Sequence, residues 1–208
     1  MKFSIILPSL LADYPGAATG RPAKLMRAIK STLSQSFTDF ELIVISDGCD
    51  LTTFLVKGQF NDSRIKLLRV ERERLFSNTP RNFGIAHASG EYIIYIDNDD
   101  TWGPDHLKKV NEGIAGEDWV YFGDWVPDGR DEQGQIKWRE RVIDVTQYGR
   151  CGTSNICHAS RLGLTWKESE GGYGHDFLFI QQLRQFANYK FIGSSEYYVC
   201  HFMNGGGV

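Results

Sequence analysis

Three short apolar runs, at residues 3–7, 40–45 and 92–96, each stop abruptly at a polar or acidic turn. They are rich in Ile, Leu, Val, Phe and Tyr and scarcely alternate with polar residues. That pattern predicts strands buried on both faces rather than strands wetted on one. Helical spacing fills the gaps between them. Leu25, Ile29 and Leu33 repeat at i, i+4 and i+8 behind Pro22, and Leu107, Val110 and Ile114 follow Pro104. A proline suits the first turn of a helix because its missing N–H has no partner there. A further strand is expected over 65–70 and a weaker helix over 52–60. Thr79 predicts the cap of a helix that starts at Pro80 and stops at Gly90. Strands and helices alternating at this spacing imply an α/β fold, a parallel sheet covered on both faces.

The second half has a different character. Residues 119–126 and 135–142 flank Pro127, Asp128, Gly129, Arg130 and Asp131, a hairpin signal. A strand over 153–159 and a helix over 175–187 follow. No repeat or linker divides the chain, and 208 residues suit one domain over 1–208. A net charge of −3 argues against a nucleic-acid partner or an anionic membrane surface. No apolar run reaches the roughly 18 residues of a spanning helix, so no transmembrane segment is expected. Cys49, Cys151, Cys157 and Cys200 form no Cys-x-x-Cys pair. Cys151, Cys157 and His158 match no usual zinc spacing. The cysteines therefore read as reduced thiols, which suits a cytoplasmic location.

The third apolar run ends in Asp97-Asn98-Asp99-Asp100, three carboxylates within four residues. Such groups repel one another unless a cation lies between them, and Mg2+ or Mn2+ takes oxygen ligands. An isolated Asp-x-Asp is more often a solvated turn. Here Pro8-Ser9 closes the first run and Asp47-Gly48 the second. In a parallel sheet all three ends meet at one edge, where open α/β sheets bind ligands.

These blocks resemble the family 2 glycosyltransferases with the GT-A fold. Asp47-Gly48-Cys49-Asp50 is similar to the family's Asp-Gly-Ser-x-Asp, with Cys for Ser and one residue fewer before the second Asp. Pro80-Arg81-Asn82-Phe83-Gly84 resembles its Ala-Arg-Asn-x-Gly segment. Asp97 to Asp100, followed by Thr101-Trp102-Gly103-Pro104, looks like its metal motif. Gly174-His175-Asp176 resembles its Gly-Glu-Asp, with His for Glu. The resemblance covers roughly residues 3 to 190, and four blocks in order are far more specific than any one. It implies a Rossmann-like, mostly parallel central sheet flanked by helices, with a smaller hairpin region on the acceptor side. Residues 1–104 would then form the nucleotide-binding half and 105–208 the acceptor-side half. The implied activity is a metal-dependent, inverting transfer of a sugar from a nucleotide sugar, a UDP-sugar first, to a hydroxyl acceptor.

Roles for single residues follow from that resemblance and from their chemistry. The carboxylate of Asp47 accepts hydrogen bonds only, so it suits the N3–H of uracil, though a turn-capping Asp is the plainer alternative. Pro8 and Ser9 would lie beside the same nucleotide, and Asn98 would reach the ribose. Arg81 has a fork that suits phosphate oxygens, with an ordinary ion-paired Arg as the alternative. Asp99 is the expected metal ligand, supported by Asp97, with a late His, His201, as a third. Asp100 is expected either to cap the following helix or to touch the sugar. Asp176 is the expected base, because an inverting transfer needs a group to take the acceptor's proton. Ile180, Leu183 and Ala187 would share its helix face and turn it toward the crevice, and the helix N-terminus favours its ionised form. His175 would be a second base or an acceptor contact, and Thr153-Ser154-Asn155 would line the acceptor side. Trp102, Trp125, Trp138 and Trp166 could stack on sugars, although core positions are commoner for Trp. Two other classes remain open. A sugar-phosphate nucleotidyltransferase would carry a compact Gly-rich basic loop after the first strand, which Gly16, Gly20 and Arg21 do not form. A non-catalytic sugar-nucleotide-binding module would bind donor without releasing UDP.

Overall fold

β1 (Phe3–Ser9) lies between β2 (Phe40–Asp47) and β4 (Tyr92–Tyr95), all parallel, and β3 (Ile65–Val70) extends the sheet beyond β2. This is a computed structural model, and it describes residues 1–12, 19–72, 78–167 and 174–200. Every residue of β1, β2 and β4 is buried, which is why their sequences do not alternate. The side chains still alternate between faces. Phe3, Ile5, Leu7, Leu42, Val44 and Ile94 point to a layer shared with Leu25, Ala28 and Ile29 of α1 (Arg21–Leu33). Ile6, Ile43, Ile45, Ile93 and Tyr95 point to the other layer, with Phe179, Ile180 and Leu183 of α5 (His175–Leu183).

α2 (Asp50–Gln59) and α3 (Asn78–Ala86) follow the second and third strands. α3 begins one residue before Thr79, so Thr79 is inside the helix rather than its cap, and it ends well short of Gly90. The chain leaves the helix because the Ser4 hydroxyl on β1 takes the N–H groups of Ser89 and Gly90, at 3.1 and 2.8 Å. α4 (His106–Gly113) buries Leu107 and Val110, and Ile114 just beyond it is also buried.

Beyond β4 the sheet becomes mixed. β8 (Ile156–Ala159) runs antiparallel to β4, and β6 (Trp119–Arg130) antiparallel to β8. β9 (Tyr189–Tyr198) runs parallel to β6 and receives the short β5 (Thr101–Trp102). The order is β3-β2-β1-β4-β8-β6-β9-β5, with β7 (Ile136–Arg141) paired to β6 as the expected hairpin. The turn comes later than expected, because β6 runs through Pro127 to Arg130 with a slipped register. Asp131 then closes the turn, its Oδ1 accepting the N–H groups of Gln133 and Gln135. Residues 153–159 are not one strand: Thr153–Asn155 form a 3-10 turn ahead of β8. α5 stops at Leu183, so Ala187 is exposed and lies outside the helix. β9 was not anticipated, since Gly193, Ser194 and Ser195 interrupt its apolar pattern. All four cysteines are buried and unbridged. Among the described residues, no helix is long and apolar enough to cross a membrane.

Candidate active site

The site forms where β1, β2 and β4 end. Ile6 is the last β1 residue paired to β4, and its carbonyl still accepts the Ile96 N–H at 3.1 Å. Pro8 points the same way past that last pair, where no ladder bond needs its missing N–H. Ser9 is buried, and its Oγ meets Thr52 Oγ1 at 3.1 Å and accepts from Asn98 Nδ2 at 3.2 Å. Thus the first strand end holds the middle of the acidic cluster. Asp47 closes β2 and is also buried. Burial pushes its carboxyl above the ordinary value, and the Arg72 charge pulls part of that back. Gly48 turns the chain at φ +60, and a Cβ there would sit 2.7 Å from Arg72 Cβ. Cys49 ties this turn to the end of the first strand: its Sγ accepts the Leu11 N–H at 3.4 Å.

Gly84 lets α3 approach the sheet closely, since a Cβ there would lie 2.9 Å from Ile45 and 3.0 Å from Ile6. The helix thereby brings Arg81 under the acidic cluster. Arg81 Nη2 donates to Asp97 Oδ1 at 3.0 Å, and the guanidinium lies 5.1 Å from the centre of the Trp166 ring. Its Nε and Nη1 are buried without a partner among the described residues. Burial raises the Asp97 carboxyl, Arg81 pulls it down, and the charges of Asp99 and Asp176 push it up, leaving it above the ordinary value. Asp99 is positioned through its backbone carbonyl, which accepts Arg27 Nη2 at 2.8 Å.

Asp100 does not stand at the cap of the following helix, but it does line the cleft. It is buried, and it accepts the Tyr197 hydroxyl at 2.5 Å and the Cys200 N–H at 2.7 Å. Burial, with the neighbouring charges of Asp99 and Asp97, holds it well above the ordinary value. The residue that caps α4 is Asp105. Asp100 instead ties the end of β9 to the acidic turn.

Asp176 stands in the first turn of α5, with 34% of its side chain exposed. The Thr153 hydroxyl donates to its Oδ1, and His175 Nε2 lies 3.1 Å from the same oxygen. Oδ2 has no partner among the described residues. Burial pushes the Asp176 carboxyl up, but the His175 hydrogen bond and charge, the Arg81 charge and the Thr153 hydrogen bond together hold it below the ordinary value. Ile180 and Leu183 are buried one and two turns on, so this helix face does point inward.

Asp97, Asp99, Asp100 and Asp176 share one cleft of about 270 Å3 with Arg141, Tyr197, Val199 and the stretch Gly152, Thr153, Ser154 and Asn155. Arg81 borders it through Asp97. Pro8, Ser9 and Asp47 lie at the same sheet edge but outside this lining. His201 lies outside the described residues. Among the described residues, no three His, Cys, Asp or Glu side chains are placed to share an ion. Two tryptophans are removed as sugar platforms. Trp102 is buried and stacks on His106 at 4.3 Å, and Trp166 is buried and stacks on Phe179 at 4.0 Å. Trp125 and Trp138 remain partly exposed on the hairpin.

Sequence reasoning missed Arg141 and Tyr197. Arg141 sits directly across from Asp124 in the hairpin and holds that fully buried carboxylate with Nε at 2.9 Å and Nη2 at 2.5 Å. An aspartate inside the otherwise apolar run 119–126 was the available signal, because a buried carboxylate requires a cation or several donors.

The family model described as Glycosyl transferase family 2 matches residues 17–184. A UDP-Glc:alpha-D-GlcNAc-diphosphoundecaprenol beta-1,3-glucosyltransferase, WfgD of Escherichia coli, is 38% identical over 105 residues, half of this chain and 38% of the relative. A GalNAc(5)-diNAcBac-PP-undecaprenol beta-1,3-glucosyltransferase of Campylobacter jejuni is 34% identical over 120 residues, 55% of this chain and 36% of the relative. The chain thus matches little more than a third of either curated relative. Residues 1–349 of S. aureus TarS superpose with a TM-score of 0.74 at 19% identity, covering 96% of this chain and 60% of that one. The same protein in complex with UDP-GlcNAc gives 0.73 at 18% identity, covering 96% of this chain and 58% of that one. The fold is therefore of the GT-A type that the four sequence blocks implied.

Proposed function

We propose that this chain, which belongs to glycosyltransferase family 2, moves a sugar from a nucleotide sugar to a hydroxyl acceptor. A UDP-sugar is the donor of choice. The E. coli relative is named for UDP-Glc, and TarS has been solved with UDP and with UDP-GlcNAc. The observation that carries the reading is the cleft in which Asp176, its Oδ1 engaged and its Oδ2 without a partner among the described residues, lies within electrostatic reach of Asp97. An acceptor hydroxyl attacks the anomeric carbon as the bond to the diphosphate breaks. Its proton passes to Asp176 Oδ2, UDP leaves, and a single displacement inverts the anomeric centre. The hydrogen bonds on Oδ1 fix the carboxylate's direction and keep it ionised near neutral pH. Asp47 suits the uracil N3–H, with Pro8 and Ser9 beside the nucleotide, and Asn98, held by Ser9, suits the ribose. Arg81 has two nitrogens without partners among the described residues, which suit diphosphate oxygens. Residues 1–104 thereby carry the nucleotide and 105–208 the acceptor.

Asp97 and Asp99 offer oxygen donors, and Asp97, raised by burial and further by its acidic neighbours, would be relieved by a cation, so the donor set fits Mg2+ or Mn2+. Asp99, with Asp97 and His201 in support, would hold the ion, which as a Lewis acid would stabilise the departing diphosphate. The relatives are named for diphosphoundecaprenol-linked sugars and poly(ribitol-phosphate), and these names support a hydroxyl acceptor. Four buried, unbridged cysteines suit a cytoplasmic location.

The test is UDP release from a panel of nucleotide sugars with Mn2+, with and without acceptors. Wild-type protein should release UDP from one donor. Asp176→Asn should bind that donor and lose transfer by roughly a hundredfold or more. Full transfer by Asp176→Asn rejects the base. No release from any donor rejects the enzyme.

A further inference from the structure

One wall of the cleft, where Thr153, Ser154 and Asn155 are expected on the acceptor side, has no acceptor contact assigned to it in that reading. Its polar groups are largely engaged. The Thr153 hydroxyl is on Asp176, the Gly152 N–H is on Asn155 Oδ1 at 3.1 Å, and Tyr197 is on Asp100. The Asn155 amide bridges the Phe122 carbonyl at 3.1 Å and Asp124 Oδ2 at 3.0 Å. Two capacities remain. Arg141 uses Nε and Nη2 on Asp124, which leaves Nη1, and 43% of its side chain is exposed. Ser154 is 1% exposed, and its Oγ has no partner among the described residues.

These two groups are fixed relative to the base by one short turn. Thr153 anchors it on Asp176, and Asn155 anchors it on Asp124, the carboxylate that orients Arg141. Ser154 lies between the two anchors. We infer that Arg141 and Ser154 form the acceptor subsite, and that it recognises a neutral sugar by a hydroxyl next to the reacting one. The inference rests on the transferase reading.

Charge decides for a neutral group. On this wall Arg141, the cation in the cleft lining among the described residues, is already matched by Asp124, and Asp176 beside it is held below the ordinary carboxylate value. A phosphate on this wall would face the ionised Asp176 with no unmatched positive charge among the wall's described residues. A sugar hydroxyl needs only a donor and an acceptor. Arg141 supplies N–H groups, and Ser154 supplies both.

The experiment uses the donor found by UDP release, with methyl glycosides of neutral hexoses and N-acetylhexosamines set against the matching hexose 6-phosphates. At least one neutral glycoside should raise UDP release by wild-type protein, and its phosphate counterpart should be poorer. Ser154→Ala should raise the acceptor KM by about 3- to 10-fold, the worth of one hydrogen bond, while the donor KM moves less than about twofold. Its melting temperature should not fall, because the lost hydroxyl was unpartnered. Arg141→Lys should raise the acceptor KM by roughly tenfold while keeping a cation on Asp124, so that folding survives. Better transfer to the phosphates, an unchanged acceptor KM in both variants, or no glycoside raising release from an accepted donor overturns the subsite. Absence of UDP release from every donor is a separate result: it removes the transferase reading and the subsite with it.

Discussion

Thr153→Val isolates how Asp176 is held. Valine keeps the branched shape of a residue that is 4% exposed and removes only the hydroxyl that donates to Oδ1. A hydrogen bond to a charged group contributes about 1.5–3 kcal/mol. A third of the Asp176 side chain is exposed, so the lower end applies, about 1.5 kcal/mol, which corresponds to about one pH unit. The sign follows from the direction of the shift. The Asp176 carboxyl lies below its ordinary value, so the ionised base is present above that lowered pKa and is lost as pH falls through it. Removing a donor weakens the ionised form and raises the pKa. The acid limb of kcat/KM should therefore move up by about one unit in Thr153→Val. At neutral pH the base stays ionised, and kcat should fall by less than about tenfold, from lost orientation alone. UDP release measured from about pH 3.5 to about pH 8 gives both quantities. Thr153→Ser, which restores the hydroxyl, should restore the limb. A limb that stays in place while kcat falls would show that Thr153 acts through packing and that the bond to Oδ1 does not tune the base.

His175→Gln removes the largest of the interactions that lower the Asp176 carboxyl, so its acid limb should rise at least as far as that of Thr153→Val; a smaller rise refutes the ranking. Gly48→Ala forces a side chain to φ +60 with its Cβ 2.7 Å from Arg72 Cβ, and should cost about 1–2 kcal/mol in urea melts and weaken UDP binding measured by calorimetry. Glu41 is held below its ordinary value of 4.5: burial raises it, but Ser4, the Ser89 N–H and Lys66 outweigh burial. Its contribution is present above 4.5 and lost as pH falls through the lowered pKa, so Glu41→Gln should cost about 1.5–3 kcal/mol at neutral pH and progressively less in acid. Chelation should lower UDP release, added Mn2+ should restore it in wild-type protein, and Asp99→Asn should not recover; release indifferent to chelation refutes the metal.

The legible parts of this chain were those set by local chemistry. β1, β2 and β4 are buried on both sides, and only an uninterrupted apolar run satisfies such a position, so their sequences announced them. Helix α1 was readable because Leu25 and Ile29 need one stripe and Pro22 needs a first turn. The unreadable parts depend on partners distant in sequence. β9 exists because its backbone bonds to β6, which compensates for Gly193 and two serines that weaken its own preference. The early end of α3 is set by Ser4, far away on β1. Arg141 enters the cleft through a bulged hairpin whose register no turn residue specifies. Asp176 could be proposed from a motif. That its Oδ1 takes both donors could not, because Thr153 lies 23 positions away.

Three carboxylates within four residues looked equivalent in sequence, and the fold makes them unequal. A side chain at a strand end can serve a ligand only if the fold does not already use it. Asp100 is largely used: its oxygens accept the Tyr197 hydroxyl and the Cys200 N–H, and burial raises its carboxyl, so it ties the end of β9 to the acidic turn while still lining the cleft. Asp97 is half used, because Arg81 occupies Oδ1 and leaves Oδ2 to the cleft. Asp99 is fixed by its backbone carbonyl, which Arg27 holds, so the main chain is positioned without engaging that carboxylate through Arg27. Asp99, with Asp97 in support, stays the proposed metal ligand on the chemistry of its carboxylate alone. The proposed base comes from another element for a related reason. A carboxylate that balances a dicationic metal and a diphosphate cannot also accept a proton at neutral pH. α5 supplies one whose ionised form is held by Thr153 and His175 instead.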